Sequence, residues 1–182
     1  MTNRDDELAV LARGLDQAAA LLGSVGDDDL DGSTPCRDWT TARLADHLVA
    51  APANFAQMLR GEDVDWSAPT THADTEREAA FRSGADELLA VWRDIGDGEA
   101  PIGPDWQMAE VAVHSYDLAM ALGRSTADLD PAVAERGLAF MQAMLKPEIR
   151  GEAFGPEQAA PEGADSYQRI AAFAGRTVTP SR

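Results

Sequence analysis

Leucine, alanine and aromatic side chains recur at steps of three and four along most of this chain, and that spacing limits its fold more than any other feature. Leu8, Leu11, Leu15, Ala18, Ala19 and Leu22 form one such stripe. A stripe with this period is the inward face of an amphipathic helix. Gly23 and Gly26 predict its end. A second stripe of Leu44, Leu48, Ala51, Phe55 and Leu59 follows Thr40, whose hydroxyl suits a helix N-cap, and Gly61 closes it. Pro52 lies inside that segment, one turn after His47, where it removes a backbone donor and predicts a kink. A third helix is predicted from Asp74 to Asp94 with Phe81, Ala85, Leu88, Leu89 and Trp92 inward. A fourth is predicted from near Asp105 to Gly123. Asp130 and Pro131 form an N-cap and first-turn pair for a fifth, carrying Val133, Leu138, Met141, Met144 and Leu145. Ile170 and Phe173 anchor a short terminal helix.

The segments between are rich in Asp, Gly, Ser and Pro and read as loops, above all 61–73 and 146–165. No stretch alternates in the manner of a strand, and no internal repeat is visible. The expected architecture is therefore all-α: a bundle of four main helices with additional short ones, in one domain over residues 1–182. A chain of this length buries enough surface for a true core.

Charge narrows the partners. Fifteen Lys and Arg stand against 32 Asp and Glu, a formal net charge of −17. Such a surface repels phosphate backbones and anionic membranes, so neither nucleic acid nor a membrane is expected as a partner. No apolar run approaches the roughly 20 residues of a membrane span. The segment from Met1 to Asp6 is too polar for a secretory signal. The lone Cys36 has no partner for an internal disulfide, in keeping with a reducing compartment. A cytoplasmic location is expected.

With only three histidines, each can be weighed. Glu110 and His114 are four residues apart on the predicted fourth helix, one turn along the same face. A carboxylate and an imidazole so placed form a two-ligand arm for zinc or a similar divalent ion. The alternative is a surface carboxylate–imidazole pair. His47 lies near the inward face of the second helix, beside Leu44 and Leu48. A buried histidine needs a partner, which is either a backbone carbonyl or a metal shared with Glu110 and His114. Three protein ligands and an open fourth position is the pattern of catalytic zinc. His72, in a loop, reads as a surface residue that could at most substitute as a ligand. Cys36 reads as a plain loop cysteine, and Trp39 and Trp106, each at a helix start, as packing anchors.

Three segments carry a resemblance: TPCRDWTTARLADHL, AEVAVHSYDLAMALGR and FGPEQAAPEGADSYQRIAAFAGR. Together they resemble the metal-binding-domain family of mycothiol-dependent maleylpyruvate isomerase, in its short single-domain branch, within the DinB-like four-helix-bundle superfamily. The resemblance covers nearly the whole chain. It implies that His47, Glu110 and His114 hold a divalent metal, zinc or another ion such as nickel. It also implies that Asp117 orients a ligand or supports packing. The cosubstrate it implies is mycothiol, whose thiolate would attack a small electrophile; a homodimer is usual in the superfamily. The isomerase has a second, C-terminal domain that contributes to its active site, and this chain ends soon after the bundle. A thiol transferase or isomerase-like enzyme is therefore expected rather than maleylpyruvate isomerisation itself. A non-catalytic metal- or ligand-binding protein of the same fold is the alternative.

Overall fold

A computed structural model describes residues 4–66, 76–150 and 154–178. Among these residues the chain forms six α-helices and no strand: α1 (Arg4–Leu22), α2 (Thr41–Leu59), α3 (Arg77–Ile95), α4 (Pro104–Ala121), α5 (Pro131–Met144) and α6 (Ser166–Phe173). The all-α bundle expected from the spacing is what the chain adopts. Asp74, the predicted start of the third helix, lies outside the described residues.

Side-chain chemistry sets the helix starts. The Thr40 hydroxyl accepts from the Arg43 amide at the head of α2, and the Asp130 carboxylate accepts from the Ala132 amide at the head of α5. Asp165 caps α6 by accepting from the Gln168 amide, and the Gln168 side chain accepts in return from the Asp165 amide. Pro104 and Pro131 occupy first-turn positions, where a missing N–H costs nothing. Helix α2 continues through Pro52 to Leu59.

The helices close a ring in which α1 packs on α3, α3 on α2, α2 on α4 and α4 on α1. Helices α5 and α6 then cover the outer side of α4. The sequence of α4 explains its central place. Thirteen of its 18 residues are buried, so it has no polar face to turn to water. The core runs through Leu11, Leu15, Leu44, Leu48, Phe55, Phe81, Leu88, Met108 and Leu118, all buried, each contributing about 1.5–3 kcal/mol. Trp92, also buried, donates its indole N–H to the Gln107 side chain at 2.9 Å. Where α5 crosses α4, a Cβ at Gly137 would lie 2.7 Å from the Ala109 Cα, so only glycine permits that approach.

The apolar residues of α5 divide between core and surface. Val133 and Met141 are buried, but Met144 is 58% exposed. The helix ends at Met144, so that residue borders a cavity rather than the core.

Candidate metal centre

Helix α2 supplies His47, two turns in from the Thr40 cap, and the packing of α2 on α4 brings it to Glu110. The His47 Nε2 lies 2.5 Å from Glu110 Oε1, and His114 Nε2 lies 3.4 Å from the same oxygen. Ligand atoms of His47, Glu110 and His114 all fall within 4.8 Å of one another. His47 and Glu110 each keep 17% of the side chain exposed, which leaves the cluster reachable from outside.

The second nitrogen of His114 is also engaged. Its Nδ1 lies 3.1 Å from Asp117 Oδ2, and Asp117 is fully buried. Arg176 clamps that carboxylate with two bonds, Nε to Oδ1 at 3.2 Å and Nη2 to Oδ2 at 2.9 Å. With Nδ1–H donating to Asp117, the Nε2 lone pair of His114 is left facing Glu110 and His47. A carboxylate on the far nitrogen is the usual means of orienting a ligating imidazole. Arg176 reaches this position through the end of α6. Gly175, at φ +88°, lets the Arg176 amide donate to Ala171 O and its own amide to Ala172 O, the pattern of a glycine-terminated helix.

Electrostatics follow the geometry. Burial works against ionisation of Glu110, but His114, the hydrogen bond with His47 and the charge of Arg176 outweigh it and hold the carboxyl at about 2. Burial likewise opposes the charge of Asp117, and the bonds to His114 and Arg176 bring it below the ordinary carboxylate range. Cys36 lies close enough to form a second cluster with His114 and Asp117. Burial pushes its thiol up to about 11, so it is a neutral thiol and not a ready nucleophile.

Aromatic rings wall the cluster. Trp39 stacks on His114, with ring centroids 5.8 Å apart and an interplanar angle of 11°, and meets His47 edge-on at 4.9 Å. The Arg43 guanidinium covers Trp39, and Trp66 lies against His47 at 5.9 Å. Beside Glu110 and His114 opens a cavity of about 440 Å³, bounded by α4, α5 and the segment before α4. Trp106 is one of its walls. The tryptophans expected as packing anchors are thus parts of the site: one flanks the imidazoles and the other lines the cavity. Arg176 and Trp66 went unassigned in the sequence; Arg176 follows the glycine that ends α6, which is a signal for a turn but not for the carboxylate it meets. His72 lies outside the described residues.

The family described as mycothiol maleylpyruvate isomerase N-terminal domain matches residues 11–100. Two relatives match the chain along almost its whole length, the uncharacterized proteins Rv0738 and MT0763 from two strains of Mycobacterium tuberculosis. Each is 32% identical over 181 residues, covering 95% of this chain and 99% of the relative. The chain belongs to the mycothiol maleylpyruvate isomerase N-terminal domain family. No solved structure matches it significantly. The family match ends before α4, so it takes in His47 but not Glu110 or His114; those two are brought to His47 by the fold. No helix among the described residues is long and apolar enough to cross a membrane.

Proposed function

We propose that this family member is a divalent-metal protein that transfers a small-molecule thiol, mycothiol by family, to an electrophile. The observation that carries the reading is the convergence of two imidazole Nε2 atoms and one ionised carboxylate oxygen on a single point. Two nitrogens and one oxygen are a donor set that zinc accepts with a fourth position open, and nickel is also compatible. The residues present fit the group. Glu110 is ionised, His114 is held through Nδ1 by Asp117 with Nε2 turned toward Glu110, and His47 closes the third side.

When bound, the metal supplies a Lewis acid that makes a thiol at the open position more acidic. The rest belongs to the chain. His47, Glu110 and His114 hold the ion. Asp117, pinned by Arg176, fixes the tautomer and ring angle of His114. Trp39 and Trp66 shield the imidazoles from water on the α2 side. The cavity beside Glu110 and His114 receives the electrophile. The thiol gives its proton to solvent water, its sulfur bonds to the electrophilic carbon, and the leaving group departs to solvent as an anion with the bonding pair.

The test is turnover of chlorodinitrobenzene with mycothiol by the zinc- or nickel-loaded protein. Thioether formation and chloride release above the blank, lost on chelation, are expected. A rate equal to the blank with each metal and with several electrophiles would leave a non-catalytic metal protein of the same fold.

A further inference from the structure

We infer that the electrophile is an uncharged, apolar molecule, flat or unsaturated, and not a carboxylate of the kind an isomerase of dicarboxylic acids would take. The inference deepens the thiol-transfer reading and rests on it for the chemistry, but its own evidence is the wall of the cavity.

That wall is made chiefly by Trp106, Val113, Phe140, Met141, Met144 and Phe154. Glu110 and His114 are its sole titratable members among the described residues. Among the described residues no Lys or Arg borders it, so away from the metal centre nothing in the wall would neutralise a carboxylate brought in from water, and a buried unpaired anion is strongly disfavoured. Lys146 and Arg150 border a separate cavity that shares only Leu145 and Phe154 with this one. The Arg150 guanidinium is held by the Gly155 and Phe173 carbonyls and lies over the Phe173 ring.

The shape of the wall speaks for a flat ligand. Trp106 and Phe140 are nearly parallel, with centroids 6.3 Å apart and an interplanar angle of 15°, and present aromatic surface to the cavity. Met141 and Met144 add the adaptable surface that thioethers give an apolar site. Trp106 and Met144, at 36% and 58%, are the two large apolar side chains that stay exposed among the described residues, and both border this one cavity. Apolar surface gathered in one place commonly marks a binding site. At about 440 Å³, the space falls in the range of small-molecule pockets.

The experiment is calorimetric titration of the full chain, metal-loaded and chelator-treated, with two probes: meta-dinitrobenzene, which has no leaving group, and maleate. The arene is expected to bind both forms of the protein, and maleate not to bind the chelator-treated form. Met141→Trp fills the cavity and should weaken arene binding by at least roughly tenfold. Met144→Arg changes an exposed residue, so the protein should fold, and it should shift preference toward maleate. Maleate binding the chelator-treated, unaltered protein as tightly as the arene would overturn the inference. So would a folded Met141→Trp protein that binds the arene undiminished, or a Met144→Arg protein with unchanged preference. Arene binding without any thiol transfer on metal loading would sink the transferase reading and leave the cavity assignment standing. Turnover of chlorodinitrobenzene that meta-dinitrobenzene fails to inhibit would do the reverse.

Discussion

At the scale of residues, the centre depends on two groups that touch no proposed substrate. Asp117 is buried against His114 on one side and Arg176 on the other. Asp117→Asn keeps the size of the side chain and removes the charge. Metal affinity should fall about 10- to 100-fold, measured by competition with a chromophoric chelator, with little change in the helical circular dichroism. Arg176→Met is expected to behave differently. It leaves the Asp117 carboxylate buried with half its partners gone, and breaking a buried pair in this way costs about 3–5 kcal/mol. Urea unfolding of the metal-free protein reads that loss directly. A loss under about 1 kcal/mol would mean that the pair behaves as a surface ion pair.

At the scale of helices, α5 carries two testable dependences. Asp130 caps it, and the Arg13 guanidinium, then the Ala132 amide, draw its carboxyl below the ordinary value. A carboxyl lowered in the folded state adds stability above its unfolded pKa of about 3.9 and loses it as pH falls through the lower folded value. Asp130→Ala should therefore cost about 1 kcal/mol at neutral pH, and the gap from the unaltered protein should narrow in thermal melts below about pH 3.9. Gly137→Val would drive a side chain into the Ala109 backbone. It should destabilise the fold by about 1–3 kcal/mol and, by lifting α5 from α4, reshape the cavity; weaker arene binding in titration checks the second effect.

Most elements were legible in the sequence because an amphipathic stripe and a cap are local signals. Thr40, Asp130 and Pro131 mark the helix starts they were read to mark. Helix α4 was legible as a helix, but its lack of a polar face shows its central place only once α5 and α6 are seen to cover it. Glu110 and His114 share one helix, so their pairing is visible in spacing. The approach of His47, and of Arg176 to Asp117, depends on how separate helices dock, which spacing does not encode. The role of Trp39 was hidden for the same reason: a tryptophan at a helix start packs against whatever the neighbouring helix presents, and here that is His114.

At the scale of the molecule, a net charge of −17 on 182 residues makes self-repulsion a general cost of the compact state. Raising sodium chloride from about 0.01 to 0.15 M shortens the screening length from about 30 to 8 Å. The melting temperature should therefore rise across that range, as differential scanning calorimetry would show; a fall would mean that paired charges outweigh the repulsion. The central claim is that His47, Glu110 and His114 together hold one divalent ion, and the most direct measurement is metal content by mass spectrometry of the purified protein and of His47→Ala, Glu110→Gln and His114→Ala. Close to one equivalent in the unaltered chain, falling to background in each folded variant, is the expected result; equal metal in His114→Ala and in the unaltered protein would contradict it.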